Sequence, residues 1–307
     1  MSQINTGWKT SDPHARINCL DHLLTGGRIL ILAVALAVVT QAGGSSLALF
    51  DSHVHLWKGE ESLRVYKKQI EDAQLEVAGI GAMWFGGPNQ ALAGRPKEIQ
   101  AGNDSIIALA AEHPEMMPIA TVHPYDGPAA VEELERVAAK GIKVLKLHPH
   151  TQKFDSEDPR VLTLVLRAGE LGVIVLIDNA SILPGDCEKL FNLALNAPKT
   201  KFIFAHLGAM NFRFWNILKA ARTAQGLFGD NIYFDISATV VLVADSPIQD
   251  EFVWTIRNVG IDRVLLGSDY PQYSLEQNVR ALARLTLDEN EKAKIRYENA
   301  RAVFGLR

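Results

Sequence analysis

Two histidines separated by a single residue carry the clearest chemical signal in the sequence. His53 and His55 lie in the segment DSHVH, at the end of an apolar run. Alternate residues of a β-strand project to the same face about 7 Å apart along the backbone, so two imidazoles placed this way can bind one ion at about 2.0 to 2.1 Å per nitrogen. The pair predicts a metal chelate. By itself it also suits a structural role, so its meaning depends on which other groups reach it.

Two further residues could supply the chemistry that such a pair needs. Asp269, in LLGSDYP, can complete a metal shell and accept a proton from metal-bound water, or it can cap the following helix. His206, in FIFAHLG, can polarise a substrate carbonyl or stabilise developing charge, or it can be a hydrogen-bonded core histidine. We take Asp269 and His206 as the candidate catalytic residues.

These residues lie at the ends of short apolar runs that alternate with longer stretches of helical periodicity. The runs are LALFDSHVH (47–55), GIGAMWF (79–85), MPIATVH (117–123), IKVLKLH (142–148), VIVLID (173–178), KFIFAH (201–206), NIYFDIS (231–237) and RVLLGSD (263–269). Eight such units predict a (β/α)8 TIM barrel, with its active site at the C-terminal ends of the strands. A doubly wound sheet has the same alternation, but no glycine-rich phosphate turn follows the first run.

Other strand ends carry further polar side chains. Lys146 and His148 alternate on the fourth run and can share the barrel interior, where Lys146 can pair with a carboxylate. Asp235, on the seventh run, can face the interior or orient His206. In MNFRFW, after the sixth run, Arg213 can meet a substrate carboxylate, unless this segment is the amphipathic start of a helix. We expect these residues to contact the substrate or to support the metal ligands.

The composition is that of a globular enzyme. The 307 residues are 48% hydrophobic and 21% charged, which allows a substantial core. A net charge of -4 and a pI near 6.1 give no basic face for a phosphate backbone, so we expect a small-molecule substrate and no nucleic-acid partner. The two cysteines, Cys19 and Cys187, have no metal-type spacing. A homo-oligomer is compatible with the sequence.

Residues 1–46 differ from the rest and predict a leader. The run ILILAVALAVV (29–39) follows Arg28 and precedes the small residues 42–46. This pattern is typical of a signal peptide, and the run is short of the about 20 residues that span a membrane. We expect cleavage after Ala42, export to the periplasm or medium, and no stable membrane insertion afterwards. The alternative is a cytoplasmic protein with this run packed under the barrel; residues 47–307 form one domain in either case.

Five motifs in a fixed order resemble a known family. They are DSHVHL, KLHP, AHLG, GSDYP and NARAVFGL, spread over residues 47–306. Their order resembles that of the amidohydrolase-related family, the branch of the amidohydrolase superfamily that includes aminocarboxymuconate semialdehyde decarboxylase. The resemblance implies a (β/α)8 barrel with one divalent metal, usually zinc. It also implies that His53, His55 and Asp269 bind the metal and that His206 is the catalytic histidine. A second ion bridged by Lys146 is the less favoured alternative.

One position departs from the family pattern. The family usually ends its fifth strand with a metal-binding histidine, where this chain has Asp178 in VLIDNAS. Aspartate can also bind zinc, at about 2.0 to 2.2 Å. An extra carboxylate should raise the pKa of the bound water and favour harder ions such as manganese. Asp178 is therefore a candidate fourth ligand, with a supporting role or a substrate contact as the alternatives.

The function that follows is hydrolysis of an amide, lactone or related carbonyl compound by metal-activated water. Asp269 would move the proton and His206 would polarise the scissile group. The first alternative is a metal-dependent, non-oxidative decarboxylase of an aromatic or unsaturated carboxylic acid, which a basic residue aimed at the substrate, such as Arg213, would favour. The second is a barrel that binds a small ligand without turnover, because the fifth-strand histidine is lost.

Overall fold

The structure is a computed structural model that describes residues 48–306. The predicted leader, residues 1–46 with its apolar run, lies outside the described residues. None of the described helices is both long and apolar enough to cross a membrane. The described residues belong to the predicted barrel domain.

Eight parallel strands form one sheet in which successive strands of the chain are neighbours in space. They are β1 (Leu49–His55), β2 (Val77–Met83), β3 (Met116–Thr121), β4 (Val144–Leu147), β5 (Ile174–Ile177), β6 (Phe202–Phe204), β7 (Ile232–Asp235) and β8 (Val264–Leu265). Each strand overlaps one of the eight apolar runs, and helices separate them. The predicted (β/α)8 TIM barrel is therefore confirmed.

Helices cover the outside of the sheet. They are α1 (Glu60–Asp72), α2 (Pro96–Glu112), α3 (Pro128–Ala139), α4 (Pro149–Gln152), α5 (Pro159–Glu170), α6 (Asp186–Asn196), α7 (Ile217–Ala221), α8 (Thr239–Val243), α9 (Gln249–Val259), α10 (Leu275–Arg284), α11 (Glu289–Ala293) and α12 (Asn299–Phe304). Irregular helical turns occupy Pro124–Asp126, Ala205–Asn216, Ile261–Arg263 and Lys294–Glu298. The long helices bury one apolar face against the strands, as α5 does with Leu164 and Val165.

Backbone hydrogen bonds between β1 and the chain beyond β8 close the barrel. The N–H of Ser52 donates to the carbonyl of Leu266 at 3.0 Å. The N–H of Asp269 donates to the carbonyl of His53 at 2.9 Å. Residues from the first strand and from the end of the last unit therefore lie side by side at the C-terminal rim of the barrel.

Between Asp51 and Val54, β1 contains one extra residue relative to β2. Asp51 pairs with Ile80 but Val54 pairs with Ala82, so the register shifts between Asp51 and Val54. Such a bulge turns the side chains that flank it. The Asp51 carboxylate accepts a hydrogen bond from Tyr66 of α1 at 3.0 Å, and burial raises its pKa to about 6. Asp51 thus faces a helix, whereas strict alternation would have placed it in the barrel interior beside the two histidines.

The barrel interior is apolar in its lower half. The side chains of this layer are Phe50, Met117, Ile119, Val144, Ile174, Leu176, Ile203 and Leu265. Phe304 of α12 packs against Phe50 below them, with ring centroids 5.6 Å apart. Above this layer, at the C-terminal strand ends, the interior side chains are polar. The apolar layer holds the strands together and leaves the upper layer for chemistry.

An aromatic cluster outside β6 and β7 fixes the loop that follows β6. The buried ring of Trp215 lies 5.0 Å from that of Phe204 and 4.9 Å from that of Phe234, measured between centroids. In the amide orientation that satisfies its neighbours, Asn179 accepts hydrogen bonds from the Trp215 indole at 2.9 Å and from the N–H of Gly208 at 3.1 Å. The loop carrying His206 is therefore tied to the barrel wall.

We expect Trp215→Ala to lower the free energy of unfolding by about 3 to 5 kcal/mol, because it leaves a large cavity in this cluster. Trp254→Ala makes the same chemical change on α9, where the side chain is 53% exposed. That variant should lose no more than about 0.5 kcal/mol. Urea denaturation of both variants measures the difference, and equal losses would contradict the role given to the cluster.

Candidate metal centre

Three buried side chains converge at the C-terminal rim of the barrel. Nε2 of His53 lies 3.2 Å from Nε2 of His55. Oδ1 of Asp269 lies 3.5 Å from each of these nitrogens. The ligand atoms of all three residues lie within 4.8 Å of one another, which suits a single ion. The structure thus brings together three of the predicted metal ligands.

Hydrogen bonds on the far side of each imidazole leave both Nε2 atoms unprotonated, with Nε2 of His53 also 3.1 Å from Nζ of Lys146. Nδ1 of His53 lies 3.0 Å from the carboxylate of Asp235, and Nδ1 of His55 contacts the carbonyl of Phe85. Both partners can only accept, so each ring carries its proton on Nδ1. Two lone pairs that face each other repel unless a cation lies near both of them. Outer hydrogen bonds to Nδ1 of this kind are typical of metal-bound histidines. These residues fit a divalent metal.

The protonation states of the ligands also suit a metal. Burial, and then the charge of Lys146, lower the pKa of His53 to about 4, so its ring is neutral at pH 7. Burial acts to raise the pKa of Asp269, but the contact with His55 and then His53 and His206 outweigh it and hold that pKa at about 2. Neutral imidazoles and an ionised carboxylate are the forms that bind metal ions.

Two backbone features allow Asp269 to approach the histidines. Gly267 lies so close to β1 that an added Cβ would be 2.9 Å from Cβ of His53. Asp269 itself has a left-handed backbone with φ of 61°. The residue therefore lies in a turn beyond β8, whereas the sequence predicted it on the strand. Left-handed backbone at a non-glycine residue costs about 1 to 3 kcal/mol and is common at functional sites.

Asp178 lies outside this group of ligands. Its Oδ1 lies 3.2 Å from Nε2 of His206 and 3.6 Å from Nε2 of His148. Burial would raise the pKa of Asp178, but His148, His206 and Lys146 hold it well below its usual range. This position favours the supporting role for Asp178 over the role of fourth metal ligand.

His206 enters the cavity because the backbone turns at this residue. Phe204 faces the outer core and Ala205 the interior, so continued alternation would point His206 at the helices. Instead His206 and Leu207 adopt left-handed conformations, with φ of 64° and 47°. The imidazole ring then stacks against that of His53, with centroids 5.2 Å apart.

Both ring nitrogens of His206 face acceptors. Nδ1 lies 3.1 Å from the carbonyl oxygen of Ser237, and Nε2 lies 3.2 Å from the Asp178 carboxylate. A carbonyl and a carboxylate cannot donate, so each nitrogen carries a proton. Burial lowers the pKa of His206, but the hydrogen bond and charge of Asp178 outweigh it and raise that pKa to about 9. His206 is an imidazolium paired with Asp178.

Asp235 and Ser237 connect His206 to the metal ligands. Asp235 binds Nδ1 of His53 through Oδ2 and accepts the backbone N–H of His206 at 3.1 Å through Oδ1. The Ser237 hydroxyl donates to Asp235 and lies 3.0 Å from Nδ1 of His206. Asp235 therefore orients both histidines, whereas the sequence suggested only His206. Ser237 was missed, although alternation on β7 places it on the same face as Asp235.

Lys146 and His148 share the barrel interior, as alternation on β4 predicted. The buried Nζ of Lys146 lies 3.1 Å from Nε2 of His53, and burial lowers the pKa of this amine. Burial also lowers the pKa of His148, to about 4. Lys146 therefore places a basic group beside the metal ligands, and His148 is neutral at pH 7.

Arg213 lies outside the cavity, so the prediction that it faces a substrate carboxylate is wrong. Its guanidinium pairs with Glu251 of α9 and lies 4.8 Å from the ring centre of Phe212. Phe212 and Trp215 are fully buried. Packing of these aromatic residues turns the segment inward and leaves Arg213 on the outer surface.

The cavity above these groups has a volume of about 310 Å³, at the lower end of the range for ligand pockets. Nearer the mouth it is lined by Trp57, Ile182, Leu242 and Tyr273. The indole N–H of Trp57 is buried and has no hydrogen-bond partner among the described residues. Three of these four side chains lie in loops and Leu242 lies on the five-residue helix α8, so none has a periodicity that predicts it; only Trp57, two residues after His55, had a signal in the sequence.

An eight-stranded barrel with this ligand group at its rim defines a metal-dependent enzyme of the amidohydrolase type. The profile of the amidohydrolase family matches residues 50–306, and the chain belongs to this family. The resemblance inferred from the five motifs is therefore confirmed. No curated protein matches the chain.

Several solved structures share the fold. A 2,6-dihydroxybenzoate decarboxylase from Rhizobium is 17% identical, with a TM-score of 0.64 over 84% of this chain and 98% of that one. A 5-carboxyvanillate decarboxylase from Sphingomonas paucimobilis is 16% identical, with a TM-score of 0.62 over 85% and 100%. A dihydroxybenzoic acid decarboxylase from Polaromonas sp. JS666, with bound manganese and the inhibitor 2-nitroresorcinol, is 14% identical, with a TM-score of 0.60 over 84% and 96%.

We expect the purified protein to hold one divalent ion per chain and His55→Ala to lose it, because the variant removes one of three ligands. His113→Ala makes the same change at a histidine that pairs with Glu60 on the surface, and it should keep the metal. Elemental analysis of the wild type, His55→Ala and His113→Ala measures the metal content of each protein and distinguishes zinc from manganese. Full occupancy in His55→Ala would contradict this site.

The role of Asp178 is tested by a matched pair of variants. Asp269→Asn should weaken metal binding by more than about 100-fold, since loss of an outer partner alone costs about 10- to 100-fold. Asp178→Asn makes the same chemical change and should stay within about tenfold of the wild type, because Asp178 pairs with His206 and His148 and with none of the three ligands. Chelator competition measures both affinities. Equal losses in the two variants would make Asp178 a metal ligand.

Proposed function

We propose that the protein is a metal-dependent, non-oxidative decarboxylase of a small aromatic or unsaturated carboxylic acid. The observation that carries the proposal is that both ring nitrogens of His206 face hydrogen-bond acceptors, in the same cavity as the candidate metal ligands. Decarboxylation needs a group that gives a proton to carbon, whereas hydrolysis needs a base that takes one from water. The solved structures of similar fold that carry decarboxylase names add support.

The floor of the cavity suits a carboxylate. Lys146 and His206 bring basic groups to it, and both are buried. When bound, a divalent ion supplies further positive charge there and polarises a substrate oxygen. In this proposal Lys146 takes the part that the sequence had suggested for Arg213. Manganese and zinc both suit two imidazoles and a carboxylate, and the manganese of the Polaromonas enzyme favours the former.

In the proposed reaction the bond between the carboxyl carbon and its neighbouring carbon breaks, and carbon dioxide leaves. The electron pair stays on the neighbouring carbon, which takes a proton from His206. Asp178 stabilises the imidazolium before the transfer and keeps its ring in place, because its Oδ1 lies 3.2 Å from Nε2. Solvent then returns a proton to His206, so the carboxylate form of the substrate and one proton give carbon dioxide and the decarboxylated product.

Hydrolysis is the second candidate, and Asp269 is the residue that favours it. Its carboxylate is ionised and lies 3.5 Å from both ligand nitrogens, where it can take a proton from water beside the ion. The substrate would then be an amide, ester or lactone whose carbonyl accepts a hydrogen bond from His206. The third candidate, a barrel that binds without turnover, is tested by the same assays.

We expect the metal-loaded protein to release carbon dioxide from an aromatic acid, with 2,6-dihydroxybenzoate and 5-carboxyvanillate as the first probes. Chelation should abolish the release, and added manganese or zinc should restore it. A parallel panel of esters, lactones and amides tests hydrolysis. Turnover of that panel without carbon dioxide release would contradict the decarboxylase and favour hydrolysis. No turnover of any probe would favour a barrel that binds a small ligand without turnover.

His206→Gln should lower kcat for carbon dioxide release by about 10²- to 10⁴-fold, because glutamine cannot supply the proton. His206 also belongs to a second possible group, with His53 and Asp235, but both of its ring nitrogens face hydrogen-bond acceptors, so the metal content should not change. His113→Gln is the matched surface control and should retain full activity. An unchanged kcat in His206→Gln would exclude this histidine as the proton donor.

A further inference from the structure

The cavity changes from polar at its floor to apolar at its mouth. At the floor, His53, Lys146 and Asp178 are all buried. At the mouth, the aliphatic side chains of Ile182 and Leu242 line the same cavity but are 68% and 51% exposed. A ligand that reaches from floor to mouth would therefore meet charge at one end and hydrocarbon at the other.

The apolar part of the mouth belongs to one side of the barrel. Ile182 lies in the loop after β5, and Leu242 lies on α8, which follows β7. Ala209, in the loop after β6, lines the cavity between them. Because β5, β6 and β7 are adjacent strands, these three loops form one continuous wall.

This wall concentrates the exposed hydrocarbon of the described chain. Nine large apolar side chains are more than 40% exposed, and four of them lie on these three loops: Ile182, Leu183, Met210 and Leu242. Single exposed apolar residues are ordinary, whereas a group at the rim of a cavity marks a binding surface. The two that also line the cavity, Ile182 and Leu242, are the ones that a bound small molecule can cover.

The backbone of Ala209, in the same wall, has a strained conformation. It has φ of 46° and ψ of -123°, a conformation that suits glycine and strains alanine. Alanine keeps a methyl group in the cavity wall at this cost. The strained residue therefore lines the same cavity as Ile182 and Leu242.

We infer that the site takes acids whose carboxylate lies at the metal centre and whose remote end carries an apolar substituent that packs on Ile182 and Leu242. The inference rests on the proposed function, because that function supplies the acid group. It adds that the substituent is hydrocarbon, of a few carbon atoms, and points toward the loops after β5 and β7. An unsubstituted ring would leave this wall in contact with water.

Binding of benzoate and 4-butylbenzoate to the metal-loaded full chain tests the inference. Each methylene that leaves water adds about fourfold in affinity, so burial of two of the four carbons gives 4-butylbenzoate an advantage of about 15-fold. Isothermal titration calorimetry measures both dissociation constants. In the double variant Ile182→Ser with Leu242→Ser the advantage should fall below about threefold. Leu227→Ser, at a side chain that is 54% exposed and outside the cavity, should keep it.

The outcomes separate this inference from the proposed function, since binding requires no turnover. Equal affinity for the two acids, failure of both to bind, or an advantage that survives in the double variant would overturn the inference. Carbon dioxide release without tighter binding of 4-butylbenzoate would support the proposed function and contradict the role of the apolar wall. Tighter binding of 4-butylbenzoate without carbon dioxide release would support the role of the apolar wall and contradict the proposed decarboxylase activity. Thermal unfolding of each variant confirms that it is folded.

Discussion

Hydrogen bonds between β1 and the chain beyond β8 bring the first strand of the barrel against its last unit, and the candidate metal centre depends on this closure. His53 accepts the backbone N–H of Asp269 at 2.9 Å, so the carboxylate is held beside the two imidazoles by the bonds that close the sheet. Gly267 allows the approach because any Cβ there would collide with His53. The ligand geometry is thus a property of barrel closure more than of any one loop.

A network of buried hydrogen bonds links the candidate metal ligands to His206, the proposed proton donor. Asp235 binds Nδ1 of His53 and the backbone N–H of His206, and the Ser237 hydroxyl lies within 3.3 Å of Nδ1 of both rings. Asp235 therefore sets the tautomer of His53 and the position of His206. Asp178 completes the arrangement from the opposite side of His206. Buried polar networks of this kind are rigid when every member is satisfied.

The sequence predicted most of the frame and only part of the site, and particular residues show why. Apolar runs mark all eight strands, because strands buried on both faces are continuous in hydrophobicity. Alternation failed where the backbone departs from a regular strand, as at the bulge beside Asp51 and the left-handed turn at His206. For Arg213 the sequence left two alternatives, and the structure supports the amphipathic segment, because Phe212 and Trp215 pack inward and leave Arg213 outside the cavity. Likewise, the role of Asp178 depends on its contacts with His206 and His148, which the sequence alone does not show.

The closure of the barrel has a consequence for how the protein is made. His53 and Asp269 are more than 200 positions apart, so the three ligands cannot meet until nearly the whole domain has been synthesised and folded. An emerging chain would expose the His-x-His pair early but could hold an ion there only weakly. Full metal affinity would appear with the last strand, and the ion would then stabilise only the completed barrel. Metal occupancy would in this way report the integrity of the entire domain.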